Sequence, residues 1–184
     1  MKNTVKILIL ILGIQFIHAQ EFMTDSTYSV VISEHSTDKE STHSIASVVL
    51  TDYPEIVLSS FQVESANRIE HIRVQSLKQP ELKDVDDIIR VELSYSEPYF
   101  YTISQYVLIT NEVESILLPT IVNIGDASST SETIYVFPNQ IFGNVNKIIK
   151  LEIVYKESFK VDEVNVLQNY AWNDSDFGSS VSNF

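Results

Sequence analysis

The chain has 184 residues but no cysteine, four glycines, five prolines and a single tryptophan. Each shortage excludes something. Without a thiol there is no disulfide framework, no thiolate metal site and no cysteine nucleophile. With so little glycine there is no Gly-x-Ser-x-Gly elbow to present a catalytic serine, and no Gly/Pro-rich linker to divide the chain into separate domains. One tryptophan is few for the aromatic platforms on which sugar-cleaving enzymes hold their substrates. Positive charge is scarce as well: 12 Lys and Arg face 25 Asp and Glu, a formal net charge of −13. Such a surface repels phosphate backbones and anionic headgroups, which disfavours nucleic-acid binding and peripheral membrane binding.

Long apolar runs are missing except at the start. Lys2 and Lys6 precede the run Ile7–Leu12, which reaches Ile17, and Ala19 offers a small residue for cleavage before Gln20. This order predicts a secretory signal peptide over residues 1–19. The stretch from Lys6 to Gln20 is shorter than the roughly 20 residues of a spanning helix. No cysteine follows it, so a lipid-anchored form is excluded. The expectation is an exported protein, secreted or periplasmic, with no membrane insertion after cleavage. About 165 residues remain, enough to bury a core unaided.

What the remainder has is alternation. Ile89, Val91, Leu93 and Tyr95 point one way while Arg90, Glu92 and Ser94 point the other. This is the period of a strand with one face in a core and one in water. Runs rich in Val, Ile, Tyr, Phe and Thr predict further strands at 27–33, 44–51, 55–63, 69–76, 100–110, 114–122, 132–137 and 163–170. Asp52-Tyr53-Pro54, Gln79-Pro80, Ser96-Glu97-Pro98, Gly125-Asp126 and Phe142-Gly143-Asn144 punctuate them. Residues 34–43 read as a polar loop, and residues 173–184 as a polar, disordered tail.

Two stretches say nearly the same thing. Residues 84–97 align with 144–157 at an offset of 60, with six of fourteen positions identical and five conservative. Upstream, Val48-Val49-Leu50-Thr51-Asp52 resembles Val107-Leu108-Ile109-Thr110-Asn111. The expected fold is therefore all-β: one antiparallel β-sandwich of nine or ten strands over residues 20–172, built from related halves at about 47–97 and 106–157. Two small Ig-like domains and a closed barrel are the alternatives. A four-stranded half buries too little to stand alone, which favours one shared core.

Chemistry is thinly signalled. Asp84, Asp86 and Asp87 crowd the mouth of a strand, and such a cluster can hold calcium through carboxylate oxygens. Asp174 and Asp176 form a weaker pair, with no closing glutamate. Glu34, His35, Asp38, Glu40 and His43 fall within ten residues but lack the paired spacing of zinc ligands. Glycoside hydrolysis needs two carboxylates, yet twenty-five acidic residues supply pairs by chance, and Glu92 and Glu152 read as the wet side of strands. Around Pro98 lie Tyr95, Tyr99, Phe100, Tyr101 and Tyr106. Of these, Tyr99, Tyr101 and Tyr106 are the candidate ligand-binding residues, since exposed tyrosines stack on sugars and anchor protein partners. Trp172 is expected to pin the last strand to the body.

The sequence thus points to an exported, non-enzymatic β-sandwich acting in binding, adhesion or surface assembly. Its expected partner is a protein or glycan at the cell surface, with no cofactor other than calcium. A small secreted hydrolase using an acidic pair is one alternative. A barrel carrying an apolar ligand is the other, although the Gly-x-Trp signature of lipocalin-like barrels is missing.

Overall fold

Period-two alternation becomes strands along the whole described chain. The computed structural model describes residues 22–38, 41–64, 66–96, 99–110, 115–125, 131–156 and 160–172, with only the backbone given at 34–38 and 41–43. The expected signal peptide, the polar tail with Asp174 and Asp176, and the side chains of Glu34, His35, Asp38, Glu40 and His43 lie outside the described residues.

The strands are β1 Met23–Thr24, β2 Tyr28–Asp38, β3 Ser41–Leu50, β4 Tyr53–Val63, β5 Ile69–Lys78, β6 Val85–Tyr95, β7 Tyr101–Thr110, β8 Ser115–Leu117, β9 Ile121–Ile124, β10 Ser131–Val136, β11 Lys147–Lys156 and β12 Lys160–Ala171. That makes twelve among the described residues, against nine or ten expected. One addition is the two-residue β1. The other arises because the strand expected at 114–122 breaks into β8 and β9, which both pair with β7. Pro119 lies in the break, where it cannot donate to a ladder. Gln105 fills the gap: its side-chain amide donates to the carbonyl of Leu118 at 2.6 Å, and its Oε1 accepts from Thr120 at 2.7 Å. The polar loop expected at 34–43 is instead a hairpin, with β2 and β3 paired as far as Asp38 and Ser41. Backbone pairing needs no apolar side chain, and Thr suits a strand, so polarity alone misleads there.

All strand pairings are antiparallel, in three sheets. The middle sheet runs β1-β5-β6-β7, with β8 and β9 along the far side of β7; the other two are β2-β3-β4 and β10-β11-β12. No sheet closes on itself among the described residues, so the barrel alternative falls. The middle sheet packs on both faces, each against a different neighbour. Ile89, Val91, Leu93, Tyr95 and Val107 pack against Tyr28, Ala46, Val48 and Val63 of the β2-β3-β4 sheet. On the opposite face, Leu77, Ile88, Tyr106 and Leu108 pack against Tyr135, Phe137, Ile148 and Tyr170 from the β10-β12 side. Each such aliphatic side chain removed from water stabilises the fold by about 1.5–3 kcal/mol.

The two meanders share a register. Val74 pairs with Val91 and Arg73 with Glu92 between β5 and β6, while Ile134 pairs with Leu151 and Thr133 with Glu152 between β10 and β11. Each pair is displaced by the same 60 residues. The third strands agree at their start, Tyr95 with Tyr101 and Tyr155 with Val161, and then diverge where β12 carries two register shifts.

The end of the body below Ile88 is closed by two connections. In residues 79–84, Gln79, Glu81 and Asp84 adopt positive φ; in residues 137–146, Phe142 and Asn146 do so. Asn139 ties the two together by donating to the Gln79 carbonyl at 2.8 Å. At Gly143 a Cβ would meet the Phe137 carbonyl oxygen at 2.1 Å, so only glycine fits this turn. Trp172 is buried in the same core, its Nε1 donating to the Lys83 carbonyl at 2.9 Å.

A polar clasp fixes the first strands. Asp25 accepts from Ser76 at 2.6 Å and from the Thr27 amide at 2.8 Å, and pairs with Lys78 at 3.0 Å. Lys78 also bonds Asp87 at 2.8 Å, and Asp87 accepts from the Tyr28 hydroxyl. Burial alone would raise the Asp25 carboxyl, but these donors outweigh it and hold the group well below its ordinary value. A depressed carboxyl contributes stability above its unfolded pKa of about 3.9 and loses it as pH falls toward the folded value. Asp25→Ala should therefore cost about 2 kcal/mol at pH 7. The gap to the parent protein should narrow steadily below about pH 4. Urea melts of both proteins at neutral and acid pH check this; a gap that stays constant would show that Asp25 acts by packing and not by charge.

Candidate functional site

The face of the middle sheet that meets β10-β12 is only half covered. Beyond Ile88 and Tyr106 its outward positions turn polar, and registry aligns them in rows. Gln75 lies beside Arg90; Arg73, Glu92, Ser104 and Ile121 form the next row; Thr102 pairs with Asn123 in the last. These residues belong to β5, β6, β7 and β9, and with Ile124, Gly125, Ser131 and Glu132 most of them line an open cavity of about 390 Å³. That volume falls within the range of about 300–1,000 Å³ typical of small-ligand clefts.

The floor is a chain of alternating charge. Arg73 donates to one oxygen of Glu92 at 3.1 Å and Arg90 to the other at 2.6 Å; Arg90 also reaches Glu132 at 3.2 Å. The Tyr155 hydroxyl stands 3.5 Å from the second Glu132 oxygen. The Arg90 guanidinium lies over the ring of Tyr106, 5.8 Å from its centroid. Desolvation opposes the Arg90 charge, yet Tyr106, Glu92 and Glu132 together hold the guanidinium above its usual value. Asn123 braces the wall: its side chain donates to the Thr133 carbonyl at 3.0 Å and accepts from the Thr133 amide at 2.8 Å, so it stands in for a strand between β9 and β10. Two polar atoms are buried here without a hydrogen-bond partner, Nε of Arg90 and, beneath the floor, the hydroxyl of Ser104, which does not line the cavity. Buried groups of this kind mark places where a partner is wanted.

The expected site residues separate in space. Tyr106 is 1% exposed, with its ring edge-on to Phe22 and Tyr135, and burial pushes its hydroxyl up to about 12. It is a core residue with no free face for a sugar. Tyr101 is half-buried and stacked on Tyr95 at 4.5 Å, which leaves one face covered. Tyr99 is 58% exposed, and its neighbour Phe100 is similarly open. This aromatic turn adjoins the cavity, for the Gly125 amide donates to the Phe100 carbonyl at 3.1 Å and Tyr101 pairs with Ile124. Glu92, expected on a wet surface, is instead on the cavity floor with 13% of its side chain exposed.

Asp84, Asp86 and Asp87 do not converge. Asp87 is engaged by Tyr28 and Lys78, Asp84 stands beside Lys83, and Asp86 is exposed on the neighbouring turn of the pleat. Among the described residues no three Asp, Glu or His side chains gather as metal ligands would, and no helix is long and apolar enough to cross a membrane.

The cavity was not legible from residue types. Arg73, Arg90, Asn123 and Glu132 come from four separate strands, and no short motif joins them. The one available signal was that Arg90 and Glu92 interrupt an otherwise apolar repeat on a strand whose other face is core. No protein-family model, curated protein or solved structure matches this chain.

Proposed function

We propose that the chain is an exported, non-enzymatic binding protein, a β-sandwich of two related halves with a third sheet laid across it, and that the cavity beside β6 is where it binds. The observation that carries this reading is the cavity itself, a preformed polar cleft on a sheet that is otherwise packed on both faces. The Nε of its Arg90 is buried without a hydrogen-bond partner. A purely structural sheet would fill such a place with apolar side chains or leave it flat to water. Export rests on the first nineteen residues, and the relatedness of the halves rests on the shared register of the two meanders, which places the units at β5-β6-β7 and β10-β11-β12 in place of about 47–97 and 106–157. The expected partner is a glycan or protein of the cell surface.

The alternative of a small hydrolase has one observation in its favour: Glu92 and Glu132 face the same cavity. Hydrolysis of a glycosidic bond needs one carboxyl to donate a proton and the other to attack or activate water. Here both carboxylates already accept from the Arg90 guanidinium, which leaves neither placed as the donor.

Retention of the purified protein on cell-envelope material tests the reading, with Arg73→Glu as the comparison. That change adds a third carboxylate at the mouth of the cavity, on a side chain that is 63% exposed, so the fold is spared. Retention should fall at least tenfold. Turnover of a polysaccharide or peptide that Glu132→Gln abolishes would replace this reading with the enzymatic one.

A further inference from the structure

The balance of charge in the cavity is unlike that of the chain. Over the whole sequence acidic residues outnumber basic ones 25 to 12, whereas the floor holds two guanidiniums and two carboxylates in strict alternation, Arg73, Glu92, Arg90, Glu132. A ligand of either sign would have to compete with a charge already in place. An anion approaching Arg90 meets Glu92 and Glu132 on either side, and a cation approaching Glu92 meets both arginines. Breaking a partly buried pair to admit a third charge leaves one partner uncompensated.

A neutral hydroxyl faces no such conflict. It donates to a carboxylate and accepts from a guanidinium at once, so a pair of adjacent hydroxyls can bridge neighbouring members of the chain without separating them. The remaining lining suits the same chemistry, since Gln75 and Thr102 each offer both a donor and an acceptor. A sugar ring presents several adjacent hydroxyls along one edge and matches this lining.

We infer that the cavity takes a neutral saccharide, its vicinal hydroxyls bridging the Arg73–Glu92–Arg90–Glu132 chain. This rests on the reading of the cavity as the binding site.

The test is amide chemical-shift mapping on the purified full chain, titrated with neutral disaccharides (cellobiose, maltose, lactose, chitobiose) and, in parallel, with glucuronate, glutamate and arginine. At least one neutral sugar should shift the amides of Arg90, Glu92, Thr102 and Asn123. Thr102→Val, which removes a hydroxyl at constant volume, should weaken that sugar about five- to tenfold, the worth of one hydrogen bond. Cavity shifts with a charged probe and none with a neutral sugar would overturn the ligand class while leaving the site in place. Sugar-induced shifts confined to the β2-β3-β4 sheet would overturn the site as well. So would cavity amides that stay still with every probe into the high-millimolar range.

Discussion

Trp172→Ala is expected to be among the most destabilising single substitutions in the chain, costing about 3–5 kcal/mol. Three losses coincide. The indole leaves a hole in the core shared with Leu82, Val85 and Tyr170. The Lys83 carbonyl loses the Nε1 donor at 2.9 Å. The end of β12, where the Trp172 amide bonds the Asn146 carbonyl, loses the side chain that anchors it. For a domain of this size the melting temperature should fall by about 10 °C. Trp172→Phe separates the causes, because it keeps most of the apolar area and removes only the donor, and should cost about 1–3 kcal/mol. Thermal melts of the two variants decide the matter. If they melt together, the hydrogen bond matters more than the packing.

Arg90→Ala should cost about 3 kcal/mol, by a different route. Arg90 is the only described cation in contact with both Glu92 and Glu132, and 14% of its side chain is exposed. Its removal leaves two carboxylates near each other, with Arg73 answering only one of them, and uncovers the ring of Tyr106. Pairing the change with Glu132→Gln should restore a third or more of the loss, since the second carboxylate then no longer needs its partner. Chemical denaturation of the two single variants and the double variant gives the coupling. Strict additivity would show that Arg90 serves the core through Tyr106 and not the charge chain.

The two substitutions also mark what the sequence made visible. Trp172 could be read as an anchor because a lone tryptophan between an alternating strand and a polar tail has one obvious place to go. The apolar row Ile89, Val91, Leu93 and Tyr95 was equally plain, since backbone geometry alone imposes a period of two. Arg90 and Glu92 were harder. In an ordinary two-layer sandwich their face meets water, and only a third sheet turns that face into the wall of a cleft. Tyr106 misleads for the same reason. It alternates with Val107, so one of the two would be exposed on a half-buried strand, but β7 is covered on both sides and both are core. The three aspartates at 84–87 fail to gather because Asp84 sits at positive φ before β6 and the ladder with β7 is irregular between Val85 and Asp87, so that Asp87 alone turns toward Lys78 and Tyr28. Pairings between distant strands, such as Asn123 with Thr133, depend on topology and leave no local trace.

The two chemically unlike faces of β6 also bear on how faithfully the chain finds its fold. A strand that slips by one residue exchanges its two faces. In a sheet with equivalent sides the error is mild. Here it would drive Arg90 and Glu92 into the apolar layer occupied by Val48 and Val63, and would swing Val91 and Leu93 into the open cleft. Arg90 and Glu92, two of the four charges that furnish the cavity, thus act as a registration key, penalising an odd misalignment of β6 once the β2-β3-β4 sheet packs against it.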